Sequence, residues 1–105
     1  MKNTGKAVKD DGAKNRLDLL SPWATEGLGR ILTHGAQKYA AHNWRLGMDW
    51  SRLIAAAKRH LSAFERGENI DADSGLPHID HLAACVHFLS EFQKLGNGND
   101  DRWTP

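Results

Sequence analysis

Three stretches of this chain carry apolar residues at steps of three and four, each bracketed by residues that start or stop helices, and no stretch alternates apolar and polar residues as a strand does. Ser21 followed by Pro22 marks a helix start: a serine hydroxyl caps free amides, and a proline at the first helical position forfeits no hydrogen bond. The stripe Ala24, Gly27, Leu28, Ile31 and Leu32 follows, with Glu26 beside it and Gly35 as the expected stop. Ser51 is the expected cap of a stronger helix whose inner face is Leu53, Ile54, Ala57, His60, Leu61 and Phe64, ended by Gly67. Pro77 opens the last helix, and Gly96 closes it. That helix shows two inward stripes, Ile79, Leu82, Ala83, Val86 and Leu89, and His78, His81, Cys85, Phe88 and Phe92, as a central helix touching two neighbours requires. Asp80, His87 and Glu91 are left for its wet face. The expected fold is all-α, a small bundle of three main helices (about 21–33, 51–66 and 77–95) with irregular connecting loops. Residues 36–50 hold at most one short helical stretch before Asn43.

At 105 residues one domain with a modest core is expected, and a homo-oligomer with it. Residues 1–13, with Lys2, Lys6 and Lys9, read as a flexible basic arm, residues 14–96 as the all-α domain, and residues 97–105 as a polar tail, either a surface strap or disordered. Hydrophobic content of 40% with 26% charged residues fits a soluble protein, and a net charge of +1 argues against duplex DNA as the partner. The single cysteine, Cys85, excludes an internal disulfide. No apolar run approaches the roughly 20 residues of a membrane helix, and a cytoplasmic location is expected.

The chemistry-bearing residues concentrate between Arg59 and His81. His60, His78 and His81 lie there with Glu65, Glu68, Asp71, Asp73 and Asp80, out of 6 histidines and 13 acidic residues in the whole chain. A short loop between two helices makes them antiparallel neighbours, so His60 approaches His81 with the acids crowding the same end. Carboxylates to hold a divalent cation and imidazoles to orient or deprotonate water are what hydrolysis of a phosphoric anhydride needs. The plainer alternatives are core histidines bonded to carboxylates, and acids that decorate a helix end or form turns. His60, His78, His81 and Cys85 also offer a zinc set, with spacing that permits it without being diagnostic. Lys14, Arg16 and Lys38 are candidates for phosphate contacts. Tyr39, Trp44 and Trp50 are candidates for stacking on a base, or else packing anchors. No GxxxxGK[ST] loop and no His-Asp doublet occur.

Taken together, the blocks GAKNRLDLLSP, ILTHGAQKYAAHNW, WSRLIAAAKRHLSAFERGE and DADSGLPHIDHLAACVHFL, in that order over about residues 10–95, resemble the phage and prophage dATP/dGTP diphosphohydrolase family, specifically its N-terminal domain. The resemblance implies hydrolysis of a purine deoxynucleoside triphosphate to monophosphate and pyrophosphate with a divalent metal. Residues 14–96 would then be a nucleotide-binding domain, in the host cytoplasm if the protein is phage-encoded. The matching positions are Lys14, Arg16, Asp18, Gly35, Lys38, Tyr39, Asn43, Trp44, Arg59, His60, Gly67, Glu68, Asp71, Ser74, Gly75, His78 and His81. On this reading Glu65, Glu68, Asp71 and His81 hold magnesium or manganese, with zinc the alternative. His60, His81 and Glu68 are the catalytic candidates. Lys14, Arg16, Lys38, Tyr39, Asn43, Trp44, Arg59 and His78 contact the purine nucleotide. All-α pyrophosphohydrolases of the MazG type pair an ExxE with an ExxD on facing helices. Here Glu65 and Glu68 keep the interval but Gly67 interrupts it, and His78 and His81 stand where ExxD would be. Two rivals stand beside hydrolysis: a nucleotide-sequestering protein, and a zinc-stabilised protein-interaction module.

Overall fold

A computed structural model describes residues 5–105; Lys2 and the rest of residues 1–4 of the expected basic arm lie outside the described residues. Three α-helices form, α1 (Pro22–Lys38), α2 (Trp50–Glu65) and α3 (His78–Leu95), with 3-10 turns at Leu17–Leu19 and Asn43–Leu46. Among the described residues there is no strand, only the isolated bridges Asp49 to Asn99 and Ile70 to Pro77. The all-α bundle expected from the apolar spacing is therefore present. No helix among the described residues is long and apolar enough to cross a membrane.

The Ser21 hydroxyl accepts the amide of Ala24 at 3.2 Å, and Pro22 takes the first helical position as expected. The far end differs: α1 runs to Lys38 rather than stopping near Thr33. Gly35 keeps its helical backbone, and its carbonyl accepts the Tyr39 amide at 2.9 Å. A glycine permits a left-handed stop without imposing one, and Ala36, Gln37 and Lys38 are good helix formers that carry the helix on. The short turn expected before Asn43 instead begins there, after His42 at φ 65°.

α2 starts at Trp50, one position before the expected cap. Asp49 occupies the cap position but its carboxylate accepts the Asn99 side-chain amide at 3.0 Å rather than capping the helix, and the tail supplies the cap instead. Asp101 accepts the Ser51 amide at 2.8 Å on one oxygen and the Ser51 hydroxyl at 2.5 Å on the other. The tail lies down as a strap: the Trp50 indole donates to the Asn97 carbonyl at 3.0 Å, the Trp50 amide donates to the Asn99 carbonyl at 2.9 Å, and Arg102 sits over the Trp50 ring.

α3 is central and packs along α2 more extensively than along α1. The core is Trp50, Leu53, Cys85 and Phe92, with Trp44, Met48, Phe88 and Leu89 packed on it; Phe92 is 0% exposed. The stripe through His78, Cys85 and Phe92 is thus the buried one. The other expected stripe of α3 is only partly covered: Leu82 and Leu89 are half-buried, while Ile79 is 43% and Val86 56% exposed. α1 meets α3 on a different flank, where a methyl built on Gly27 would lie 2.6 Å from the Asp80 carboxylate. Asp80, expected on the wet face, is therefore partly buried between the helices. In α2 the inner line passes through Leu53, Ala57, His60 and Ala63, leaving Leu61 and Phe64 exposed at its edge.

Candidate functional site

Gly67 ends α2 at φ 93°, and the loop that follows closes on itself before α3 begins. The Asp71 amide donates to Leu76 at 2.9 Å, the Gly75 amide to Asp71 at 2.7 Å, and the His78 amide to Asn69 at 2.9 Å. A ten-residue loop could wander; this one is a tied ring that fixes where its side chains stand. One Asp71 carboxylate oxygen accepts the Asp73 amide at 2.9 Å, and the other lies 3.7 Å from His81 Nε2.

Three imidazoles meet this ring. His60 from α2 lies with its plane 5° from that of His81 of α3, centroids 4.6 Å apart. His60 Nδ1 is 2.9 Å from His78 Nδ1, and His78 Nε2 is 2.6 Å from the Glu68 carboxylate. His81 Nε2 shares a hydrogen bond of 2.7 Å with the Ser74 hydroxyl, which also accepts the Leu76 amide. Ligand atoms of His60, Asp71 and His81 all lie within 4.8 Å of one another, a spacing that can hold a metal ion.

Burial holds the His60 imidazole below its usual pKa, and the neighbouring His81 adds to that; Asp71 opposes both. Burial likewise holds His81 down, against Asp71, with His34 of α1 lowering it further. Both rings are therefore biased toward the neutral form, which alone carries a lone pair for a cation or a proton.

His81, Asp71, Asp73 and Ser74 form one wall of a cavity of about 610 Å³. The C-terminal part of α1 supplies Ile31, His34, Lys38 and Tyr39, the following loop Asn43, Trp44, Arg45 and Met48, and α3 His87 and Phe88. Trp44 stacks on Phe88 at 4.6 Å, with Arg45 over its ring, and Arg45 is itself paired with Glu91 at 2.9 Å. The volume falls in the range of about 300–1,000 Å³ usual for small-molecule sites.

Of the residues singled out in the sequence, Lys38, Tyr39, Asn43, Trp44, Asp71 and His81 line the cavity, and His60, His78 and Glu68 stand behind His81. Glu65 is exposed at the end of α2 and belongs neither to the cavity lining nor to the His60, Asp71 and His81 group. Arg59 is exposed on α2, near enough for its charge to lower His60 and Cys85. Lys14 and Arg16 are exposed and do not line the cavity; Arg16 is paired with Asp18 at 2.8 Å. Cys85 and Trp50 are core residues, and burial pushes the Cys85 thiol up.

Sequence reasoning passed over His34, Arg45, His87 and Phe88 as members of this wall. His34 had a signal. It continues the Gly27, Ile31 spacing of α1 by three residues, just beyond the end near Thr33 that Gly35 suggests. His87 and Arg45 had none, since their place depends on how the loop folds over α3.

The fold and the cluster define a small helical domain that sets two imidazoles and a carboxylate beside an open cavity. Residues 4–102 match the family described as dATP/dGTP diphosphohydrolase, N-terminal, and the chain belongs to that family. It is 37% identical over 100 residues to the dATP/dGTP diphosphohydrolase of Salmonella phage PMBT28, an alignment covering 92% of this chain and 33% of that protein. The chain thus spans about a third of the length of the curated relative it matches. No solved structure matches it.

Proposed function

We propose that this domain binds a purine deoxynucleoside triphosphate, dATP or dGTP, in the cavity beside His81 and takes part in its metal-dependent hydrolysis to monophosphate and pyrophosphate. The observation that carries the reading is the cavity itself. Asp71 and His81 of the cluster line it, with His60 stacked on His81 outside the lining, and Lys38 lines it too, together with the apolar and aromatic Ile31, Met48, Trp44 and Phe88. The polar set suits phosphate with a cation, the apolar and aromatic set a purine.

The donor set fits a divalent cation, because burial favours the lone-pair form of both imidazoles and Asp71 adds an anionic oxygen. Such an ion would offset charge on the phosphate oxygens and make the phosphorus easier to attack. Lys38 would neutralise phosphate oxygens from the α1 side, and Ser74 keeps the His81 ring in place. Water would attack the α-phosphorus, the bond to the bridging oxygen breaking with that electron pair leaving on pyrophosphate, and the water's proton would pass to a lining imidazole that does not hold the ion, His34 or His87.

Incubating the purified protein with dATP or dGTP and magnesium or manganese, then separating the products, tests this. Monophosphate with pyrophosphate is the expected result. Intact nucleotide with every ion overturns it, and inorganic phosphate as the only small product changes the reaction class. A second reading is favoured by the share of the relative that the chain spans: this domain holds the nucleotide without turning it over. Saturable dATP binding that survives chelator, with the nucleotide recovered unchanged, would support that reading.

A further inference from the structure

Glu68, His78 and His60 form a line of hydrogen bonds that ends at the candidate cation cluster. His78 is the buried polar side chain among the described residues, 6% exposed, and both of its ring nitrogens are engaged. A carboxylate can only accept, so His78 Nε2 carries the proton shared with Glu68. With that proton as its only one, His78 accepts at Nδ1, and the bond between the two Nδ1 atoms then takes its proton from His60. His60 is left with its lone pair on Nε2. The His60 and His81 rings lie nearly parallel, with centroids 4.6 Å apart.

We propose that Glu68 and His78 are positioning residues that fix the tautomer of His60, and that His60, Asp71 and His81 thereby form a two-nitrogen, one-oxygen site for a first-row transition cation of the manganese-to-zinc series in preference to magnesium. The proposal deepens the metal dependence put forward above and rests on it for its role in turnover. Its chemistry stands on the donor atoms. Magnesium is a hard ion that prefers oxygen ligands and holds its waters, whereas imidazole suits the later ions of the row. A ligating histidine whose other nitrogen donates to a fixed partner is the usual way a metal site sets ring orientation. In this chain the partner is a second histidine, anchored in turn by a carboxylate. Glu68, expected from the sequence to touch the metal, acts here through two rings.

The test needs no nucleotide. Metal-free protein is titrated calorimetrically with manganese, zinc and magnesium, and the ring-nitrogen NMR spectrum records the histidine tautomers. Wild type should take one manganese or zinc per chain at least about tenfold more tightly than magnesium, with His60 protonated at Nδ1. Glu68→Ala should weaken the transition ion by about 10–100-fold and shift His60 toward a mixture of tautomers. Glu68→Gln, which keeps an acceptor but not its charge, should fall between the two. Glu68→Ala also leaves the buried His78 Nε2 without its acceptor and should lower the metal-free melting temperature, whereas Glu68→Gln, which keeps an acceptor, should hold it near the wild-type value. Magnesium binding as tight as manganese, wild-type affinity in Glu68→Ala, or His60 protonated at Nε2 in wild type would each overturn the proposal. A protein that binds manganese in this way yet leaves dATP intact would fail the hydrolysis reading alone.

Discussion

The rings of His60 and His81 stack almost in parallel, 4.6 Å between centroids and 5° between planes, although they come from different helices. Two imidazolium charges at that distance repel, and burial opposes even one. Both rings are accordingly held below the ordinary value of 6.5, with Asp71 pulling the other way and His78, Arg59 and His34 adding to the positive surroundings. The unfolded chain therefore binds more protons than the folded one once the pH drops to the ordinary histidine range. Their contribution to stability is present above that range and is lost as pH falls through the lowered folded values. Thermal melts of metal-free protein between about pH 5 and 8 should show a midpoint that drops on the acid side. In His60→Gln that acid-side drop should be visibly shallower; an identical slope in wild type and variant would contradict the assignment.

The tail caps α2 through Asp101, whose carboxyl is held below its usual range by the Ser51 hydroxyl and amide. Asp101→Ala should lower the melting temperature, since it frees two donors in the first turn of a helix that has no cap of its own. Asp101→Asn, which retains an acceptor, should lower it less. Asp100→Ala should leave it unchanged, because Asp100 pairs only with its neighbour Arg102 on the surface. If Asp100 rather than Asp101 proves the sensitive position, the strap is docked differently.

The helices were legible because their determinants are local. The Ser21-Pro22 start, the Gly67 and Gly96 stops and the run from Leu53 to His60 all act within a few residues, and all appear where the spacing puts them. What the sequence hid was non-local. The cap of α2 comes from a residue 50 positions later, and the helix end at Gly35 was overridden by the helix formers that follow it. The two apolar stripes of α3 were visible, but which flank α1 covers turns on one glycine packed against Asp80. The convergence of His60, His78 and His81 followed from the antiparallel corner alone. That Glu68 bonds His78 rather than standing free, and that Arg45, His87 and Phe88 line the cavity, depends on the path of the loops and not on local spacing.

Two glycines should respond in opposite directions to alanine. Gly98 has φ 71°, and a methyl there would meet the Met48 carbonyl at 2.7 Å and the Trp50 indole nitrogen at 2.9 Å. Gly98→Ala combines backbone strain with overpacking against main chain and should cost about 1–3 kcal/mol. Gly29 lies inside α1 with open space around it, so Gly29→Ala should stabilise by about 0.8–1.0 kcal/mol through helix propensity. Denaturant unfolding of both variants measures the two signs; a neutral Gly98→Ala would mean that the strap is not seated against Trp50.

The basic residues proposed to meet phosphate divide by position. Lys38 lines the cavity from the last turn of α1, whereas Lys14 and Arg16 lie outside the lining and Arg16 is already engaged by Asp18. If the triphosphate occupies the cavity, Lys38→Ala removes a cation from its oxygens without disturbing packing, because the side chain is exposed. The KM for dATP should rise about tenfold, the effect of losing one charge-assisted contact, with the melting temperature unchanged. Lys14→Ala and Arg16→Ala should leave KM alone. Steady-state kinetics on the three variants decide the matter: a loss confined to Arg16→Ala, with Lys38→Ala at wild-type values, would move the phosphates away from α1 and toward the N-terminal segment.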